Sequence, residues 1–357
     1  MNGGGKMKYA MYPYTDDNSF VFNRSSVYND VDVCVAIYPR TRKILVELPV
    51  QIKLTSDYIE AINEVDGVII LESDDYRDLY SKIKVAICSG KHIKCTQALQ
   101  KEDYEVCCDL SNQNRVKFDY YANETSLSKL LLARSDPYCT VDCAVFGITK
   151  LTQGLNSDEA VFNVYSYLKL KGYKVSTIVS SRNLTIYGFH YLPFEDLKNT
   201  STDLNHFVLQ LNRYFNYIQC IDRSDVLVVQ FPDETTIHIS ESLALGFGVK
   251  SYIISQALAV DYSLLISPQE GIDRSGYKKM SDCFSMRFGF PIDSVYIESK
   301  RIDKIESRNH SRNVYRAIPE SANINLLNGF EDGISYYSRE CDCAYKKIVD
   351  EFLSKLS

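Results

Sequence analysis

The chain has 357 residues, a formal net charge of -6, 45% hydrophobic residues and 24% charged ones. That apolar share, with only 16 Gly and 9 Pro, excludes a disordered or collagen-like chain, and the length allows one large domain or two ordinary ones. No run of about 18 apolar residues occurs; the longest candidate, residues 249–267, is broken by Lys250, Gln256 and Asp261. No membrane span is therefore expected. The opening Met1-Asn2-Gly3-Gly4-Gly5-Lys6 lacks a signal-peptide core, so the expected location is cytoplasmic.

Residues 8–11, 33–37 and 44–48 alternate or cluster as strands do. Ser56 then caps a helical run with Ile59, Ile62 and Val65 on one face. A buried strand at 68–71, a helix over 75–87, a strand at 92–96, a helix at 102–110 and a strand at 116–120 continue the alternation. Short apolar strands separated by amphipathic helices indicate βαβ units and a parallel sheet. Residues 133–138, polar with Pro137, read as a linker.

A second series follows. Residues 140–148 form an apolar strand, 158–170 a helix stopped by Gly172, and 173–179 a strand. A long helix over 203–220 carries Phe207, Leu211, Tyr214 and Ile218 at helical spacing. Strands are expected at 225–231, 251–255, 262–266 and 294–297, with helices at 275–288 and 334–356. The spacing predicts two α/β halves.

Eleven cysteines contain no Cys-x-x-Cys pair, which points to reduced apolar filling without a metal site. The basic cluster Lys300, Arg301, Lys304, Arg308, Arg312 and Arg316 is interleaved with Asp303 and Glu306, a solvated face more than a nucleic-acid patch. None of the five histidines has a triad partner that spacing alone supports.

One segment asks for chemistry. A strand runs through Gly147 into Lys150-Leu151-Thr152-Gln153-Gly154-Leu155-Asn156-Ser157 and then a helix, the setting in which backbone N–H groups cradle phosphate. A P-loop would end in Gly-Lys-Ser/Thr. Here Leu155 stands for the lysine and Asn156 for the Mg²⁺-binding hydroxyl, and Gly147 and Gly154 are seven apart. Lys150 and Ser157 could partly compensate. The phosphate-binding candidates are thus Gly147, Lys150, Gln153, Gly154, Asn156 and Ser157, with Asp233 and Glu234, past the strand at 225–231, as Mg²⁺ candidates. The alternative for Pro232-Asp233-Glu234 is a plain turn and helix start.

Ordered segments along about 300 residues carry a family resemblance: Tyr12-Pro13-Tyr14, residues 83–96 and 116–121, Gly172-Tyr173-Lys174-Val175-Ser176, Tyr187-Gly188-Phe189-His190, Ile254-Ser255-Gln256-Ala257 and Met286-Arg287-Phe288-Gly289. In these the chain resembles the clostridial-type peptide maturation system proteins, encoded beside radical-SAM maturases of ribosomally made peptides. Those are similar to the two-half family that includes D-glutamate N-acetyltransferases. The resemblance implies an α/β fold of two three-layer αβα halves, residues 1–135 Rossmann-like and 136–357 P-loop-NTPase-like. The chain departs from the family where its loop ends Gly-Lys-Phe, here Gly154-Leu155-Asn156, and where Pro-Gly-Gly is replaced by Pro232-Asp233-Glu234.

The expected role is an accessory protein of bacteriocin-like peptide maturation with a degenerate phosphate loop. Its expected partners are a precursor peptide, a maturation enzyme, a second copy or a paralogue, with neither membrane nor nucleic acid. The alternative is an ATP-, GTP- or acyl-CoA-dependent transferase or ligase using Mg²⁺.

Overall fold

The computed structural model describes residues 7–15, 31–39, 52–73, 75–122, 138–235, 248–269, 272–310, 313–318, 333–338 and 343–357. The expected strand at 44–48, most of the expected linker, His238 and Cys341 lie outside them. The chain divides into two compact units, Met1–Thr125 with Ser181–Gly188, and Ser126–Ser180 with Phe189–Ser357.

The first unit is built on β1 (Met7–Tyr12), β2 (Val31–Ile37), β3 (Lys53–Thr55), β4 (Gly67–Ile70), β5 (His92–Cys95) and β6 (Phe118–Tyr120). All neighbours are parallel, in the order β3-β2-β1-β4-β5-β6. That is the doubly wound order of dinucleotide-binding folds, in which the direction of strand addition reverses beside β1. Helices α1 (Tyr58–Asn63), α2 (Tyr76–Cys88) and α3 (Lys101–Asn114) form the described crossovers. In α2 the buried Leu79, Ile83, Ala86 and Ile87 make one apolar stripe, which packs on Val68, Ile70 and Ile93 of the sheet. The cap of α1 is Asp57, whose carboxylate accepts from the Glu60 amide, and not Ser56. Asp57 wins because an ionised acceptor lies one residue nearer the first free N–H groups.

The second unit holds β7 (Ala144–Lys150), β8 (Val175–Val179), β9 (His190–Tyr191), β10 (Val226–Glu234), β11 (Tyr262–Pro268), β12 (Ser294–Glu298) and, later, β15 (Ser335–Ser338). Its parallel order is β15-β12-β11-β7-β10-β8-β9. Helices α4 (Ser157–Leu170) and α10 (Ala344–Leu356) pack together, and α6 (Leu204–Asp222), α7 (Val249–Ala257) and α8 (Arg274–Phe288) form the other layer. The short α5 (Phe194–Thr200) precedes α6. Between β12 and β15 the chain makes an antiparallel pair, β13 (Lys300–Ile302) with β14 (Tyr315–Ala317), spanned by α9 (Lys304–His310). Phe146, Tyr262 and Phe352 interlock at ring separations of 5.2–5.8 Å beneath α10, while Phe231, Phe284, Phe288 and Phe290 cluster around α8.

Two expectations change here. The run 251–255 is helical, inside α7, although Tyr252, Ile253 and Ile254 favour a strand. Its N-cap, Gly248, has no side chain, and the Asp233 carboxylate supplies the cap from β10 instead. It accepts from the Lys250 amide at 2.9 Å, the Ser251 amide at 3.0 Å and the Ser251 hydroxyl. The span 334–356 divides into β15 and α10, because Ser335–Ser338 pairs with β12. Cys343, at φ 60°, turns the chain into the helix.

Burial accounts for part of the tyrosine excess. Tyr12, Tyr58, Tyr214, Tyr262, Tyr277 and Tyr337 are all below 10% exposed, and each hydroxyl meets an internal partner. Cysteines are unbridged among the described residues; Cys95 and Cys107 are buried as apolar filling, whereas Cys88, Cys220, Cys283 and Cys343, expected to be so, are exposed.

Candidate functional site

In doubly wound sheets ligands bind beyond the carboxyl ends of the strands, where neighbouring crossovers leave in opposite directions. In the second unit that point is β7, flanked by β10 and β11. Ile148 pairs with Gln230 and Leu264, and Lys150 with Glu234 and Ile266. The loop 151–156 leaves from this edge and enters α4.

The protein itself engages polar groups of that loop at Leu151, Thr152, Gln153 and Asn156. The Leu151 amide donates to the Ile266 carbonyl at 2.8 Å. Thr152 is fully buried, its hydroxyl 2.8 Å from the Tyr315 hydroxyl. The Gln153 carbonyl accepts from the Tyr315 hydroxyl and, at 3.3 Å, from Asn313 Nδ2. Gly154 has φ +86°, and a Cβ built on it would lie 2.7 Å from Tyr315 Cε2, so the ring covers the backbone where a phosphate would approach. Leu155, at the lysine position, is a core residue at 6% exposure.

Asn156 is the N-cap of α4. Its side-chain oxygen accepts from the Glu159 amide at 3.1 Å, and Glu159 Oε2 lies 3.4 Å from Asn156 Nδ2, an Asn-x-x-Glu variant of the capping box. The Asn156 amide donates to Glu298 Oε1 at 2.6 Å. Glu298 ends β12 and pairs with Lys300 at 3.1 Å. Burial pushes its carboxyl above the usual range, while Lys300 and the Asn156 amide pull it back down. A carboxylate from the chain thus stands where an anion meets the start of a helix.

Ser157 accepts from Gln230 Nε2 at 2.9 Å, and the same nitrogen donates to Asp158 at 2.6 Å. The other end of the Gln230 amide accepts from the Ser180 amide and hydroxyl. Gly147 lies inside β7, where an added Cβ would sit 3.0 Å from Val260 and 3.2 Å from Phe231; close packing accounts for that glycine. Asp233 is committed to capping α7, and Glu234 sits half-buried across from Lys150. The structure therefore brings Gln153, Gly154, Asn156 and Ser157 into one loop with Lys150 at its base, and turns the Asp233 carboxylate away to α7.

The donor set does not fit a nucleotide–Mg²⁺ complex. The loop amide nearest the helix already holds a carboxylate, the Ser157 hydroxyl is engaged, and Asp158 and Glu159 place two acids in the first turn of α4. Among the described residues no three His, Cys, Asp or Glu side chains gather where a metal ion could be held.

At the corresponding edge of the first unit Tyr12-Pro13-Tyr14, with a cis bond before Pro13, stands in place of a glycine-rich turn. The Tyr12 hydroxyl and Lys82 both bind the Asp78 carboxylate, and the Lys82 ammonium lies 4.7 Å from the Tyr12 ring centroid. Burial opposes ionisation of Asp78, but these two hydrogen bonds outweigh it and hold its carboxyl below the usual range. Asn183, in the short 3₁₀ segment Arg182–Tyr187, accepts from the Glu72 amide at 2.8 Å and the Thr96 hydroxyl at 2.9 Å, across the ends of β4 and β5.

Glu298, Tyr315, Asn183 and Gln230 belong to these edges without standing in any ligand-binding motif of the sequence. Gln230 interrupts the apolar run Val226-Leu227-Val228-Val229 and Glu298 ends Val295-Tyr296-Ile297; a polar side chain in a buried strand was the available signal. Tyr315 and Asn183 carried none.

The comparisons with known proteins bear on the fold. No protein-family model and no curated protein matches the chain. In structure, the chain is similar to a DUF1611 family protein from Anabaena variabilis. The match covers 97% of this chain and 100% of that one, at a TM-score of 0.59 and 9% identity, and so it speaks for the fold alone. Homoserine dehydrogenase from S. aureus (TM-score 0.29, 15% identity, 33% of this chain, 34% of that one) is a partial match. So is D-galactose-1-dehydrogenase from Rhizobium etli (0.27, 10%, 46% and 58%). Neither carries weight at such scores.

Proposed function

We propose that this chain is a binding scaffold that does not process nucleotides: an accessory protein of a ribosomally synthesised peptide maturation system, engaging a precursor peptide or its maturation enzyme. The family resemblance of the sequence suggests the pathway. The observation that carries the scaffold reading is the Glu298 carboxylate on the Asn156 amide, with Tyr315 over Gly154, which occupy two of the places where a phosphate would meet this loop. Equilibrium binding of ATP, GTP and acetyl-CoA, with and without Mg²⁺, tests it. Near-millimolar ligand is expected to give no signal. Tight Mg²⁺-dependent nucleotide binding that Lys150→Ala abolishes would overturn the reading.

A second reading, a nucleotide- or acyl-CoA-dependent transferase or ligase, draws on one observation. Lys150, half-buried at the base of the loop, has no ionic or hydrogen-bond partner for its ammonium among the described residues. The same titration separates the two.

A further inference from the structure

We propose that the β13–β14 pair is a strap that does in cis what bound phosphate does for a nucleotide-binding loop, holding residues 151–156 and the start of α4 in one conformation with no ligand. The proposal rests on the scaffold reading and adds how that scaffold is kept in shape.

The strap begins at Glu298 and is braced before it reaches the loop. Lys300 pairs with Ala317, Arg301 with Arg316 and Ile302 with Tyr315. The Gln269 amide donates to the Lys300 carbonyl at 2.9 Å, which ties β13 to the end of β11. Asp303 accepts from the Ile305 and Glu306 amides and from Arg316 Nε, and its own amide donates to the Val314 carbonyl at 2.8 Å. The Val314 amide donates to the fully buried Ser307 hydroxyl at 2.8 Å. Ile302, at 4% exposure, anchors the strap in the unit.

Tyr315 therefore projects from a fixed platform. Its hydroxyl meets Thr152 and Gln153, its ring covers Gly154, and Glu298 at the other end of the strap meets Asn156. Four of the six loop positions are held through two side chains. Loops whose backbone groups lack such partners open at low free-energy cost. In a phosphate-binding loop the ligand supplies the restraint, and the loop loosens when it leaves. Here the restraint is covalently attached, so the ordered loop and the surface beside it are permanent.

Amide hydrogen exchange of the full chain, read by mass spectrometry, tests this with Tyr315→Phe, Glu298→Ala and the double variant. Phe keeps the ring over Gly154 and removes only the hydroxyl, so folding is preserved. Each single variant is expected to speed exchange of amides 152–158 by about tenfold, the scale of one or two lost hydrogen bonds, and the double variant by more. Exchange in β7, β8 and β10 should stay within about twofold, as local opening requires. Unchanged loop exchange in the double variant, or an equal rise throughout the sheet, overturns the strap. ATP with Mg²⁺ should leave wild-type exchange unaltered; protection of the loop by it overturns the scaffold reading and not the strap.

Discussion

Replacing Gly154 with alanine tests the packing of Tyr315 on the loop most directly. Gly154 sits at φ +86°, where a Cβ costs about 1–2 kcal/mol on backbone grounds alone. The new methyl would lie 2.7 Å from Tyr315 Cε2 and 3.4 Å from Cδ2, so the ring must withdraw by several tenths of an ångström to reach ordinary contact. Withdrawal strains the hydroxyl's contacts with Gln153 and Thr152, each contributing about 0.5–1.5 kcal/mol. Gly154→Ala should therefore destabilise the second unit by about 2–4 kcal/mol. In a Tyr315→Ala background only the backbone cost remains, so the two changes should couple by about 1–2 kcal/mol. Urea unfolding of the four proteins in the cycle, followed by two probes because the chain has two compact units, measures that coupling. Additivity within about 0.5 kcal/mol would mean that the ring does not rest on Gly154, and the reasoning would fail.

Other consequences are as specific. Asp233→Ala should leave the first amides of α7 uncapped and cost about 1–2 kcal/mol, seen as faster exchange confined to residues 249–257. Because burial raises the Glu298 carboxyl above its unfolded value, the folded state holds that proton more tightly. Its stabilising contribution is full below the ordinary carboxylate range, about pH 4.3, and is lost as pH rises through the folded value. Glu298→Gln should flatten that limb of the stability–pH curve, and an unchanged curve would refute the assignment. Glu351 accepts from Tyr262 at 2.9 Å, Ser335 at 2.8 Å, Ser294 at 3.3 Å and Tyr337 at 2.5 Å, so one carboxylate on α10 ties down β11, β12 and β15. Glu351→Ala should cost about 1–3 kcal/mol and lower the melting temperature; no change would show that α10 docks by its apolar face alone.

Much of the architecture was legible because it follows from local periodicity. Stripes such as Leu79-Ile83-Ala86-Ile87, and apolar strands such as Val226 to Val229, specify βαβ units wherever they occur. The reading failed where a distant group decided the local structure. Tyr252-Ile253-Ile254 became helix because Asp233, some 20 residues earlier in the chain, caps it. At the site, the loss of Lys and hydroxyl after Gly154 was written in the chain, and so was the Asn156–Glu159 cap, though the latter was passed over. That Glu298 meets the Asn156 amide and Tyr315 covers Gly154 was not, since they lie some 140 to 160 residues away and meet the loop only after β12 has paired beside β11.

Apolar spacing along the sequence by itself determined two α/β halves and no apolar run long enough for a membrane span, because such spacing is a property of each segment alone. Only the tertiary structure decided what the degenerate loop holds. Hydrogen-bond partners of buried backbone groups are chosen by position in space, and the sequence order that brings a carboxylate onto a helix start is fixed by sheet topology. The tyrosines show the same division. Their number was visible from the outset, whereas the role of buried ones such as Tyr12, Tyr58, Tyr214 and Tyr262, with hydroxyls tied to Asp78, Glu351 and backbone carbonyls, appeared once the layers had packed.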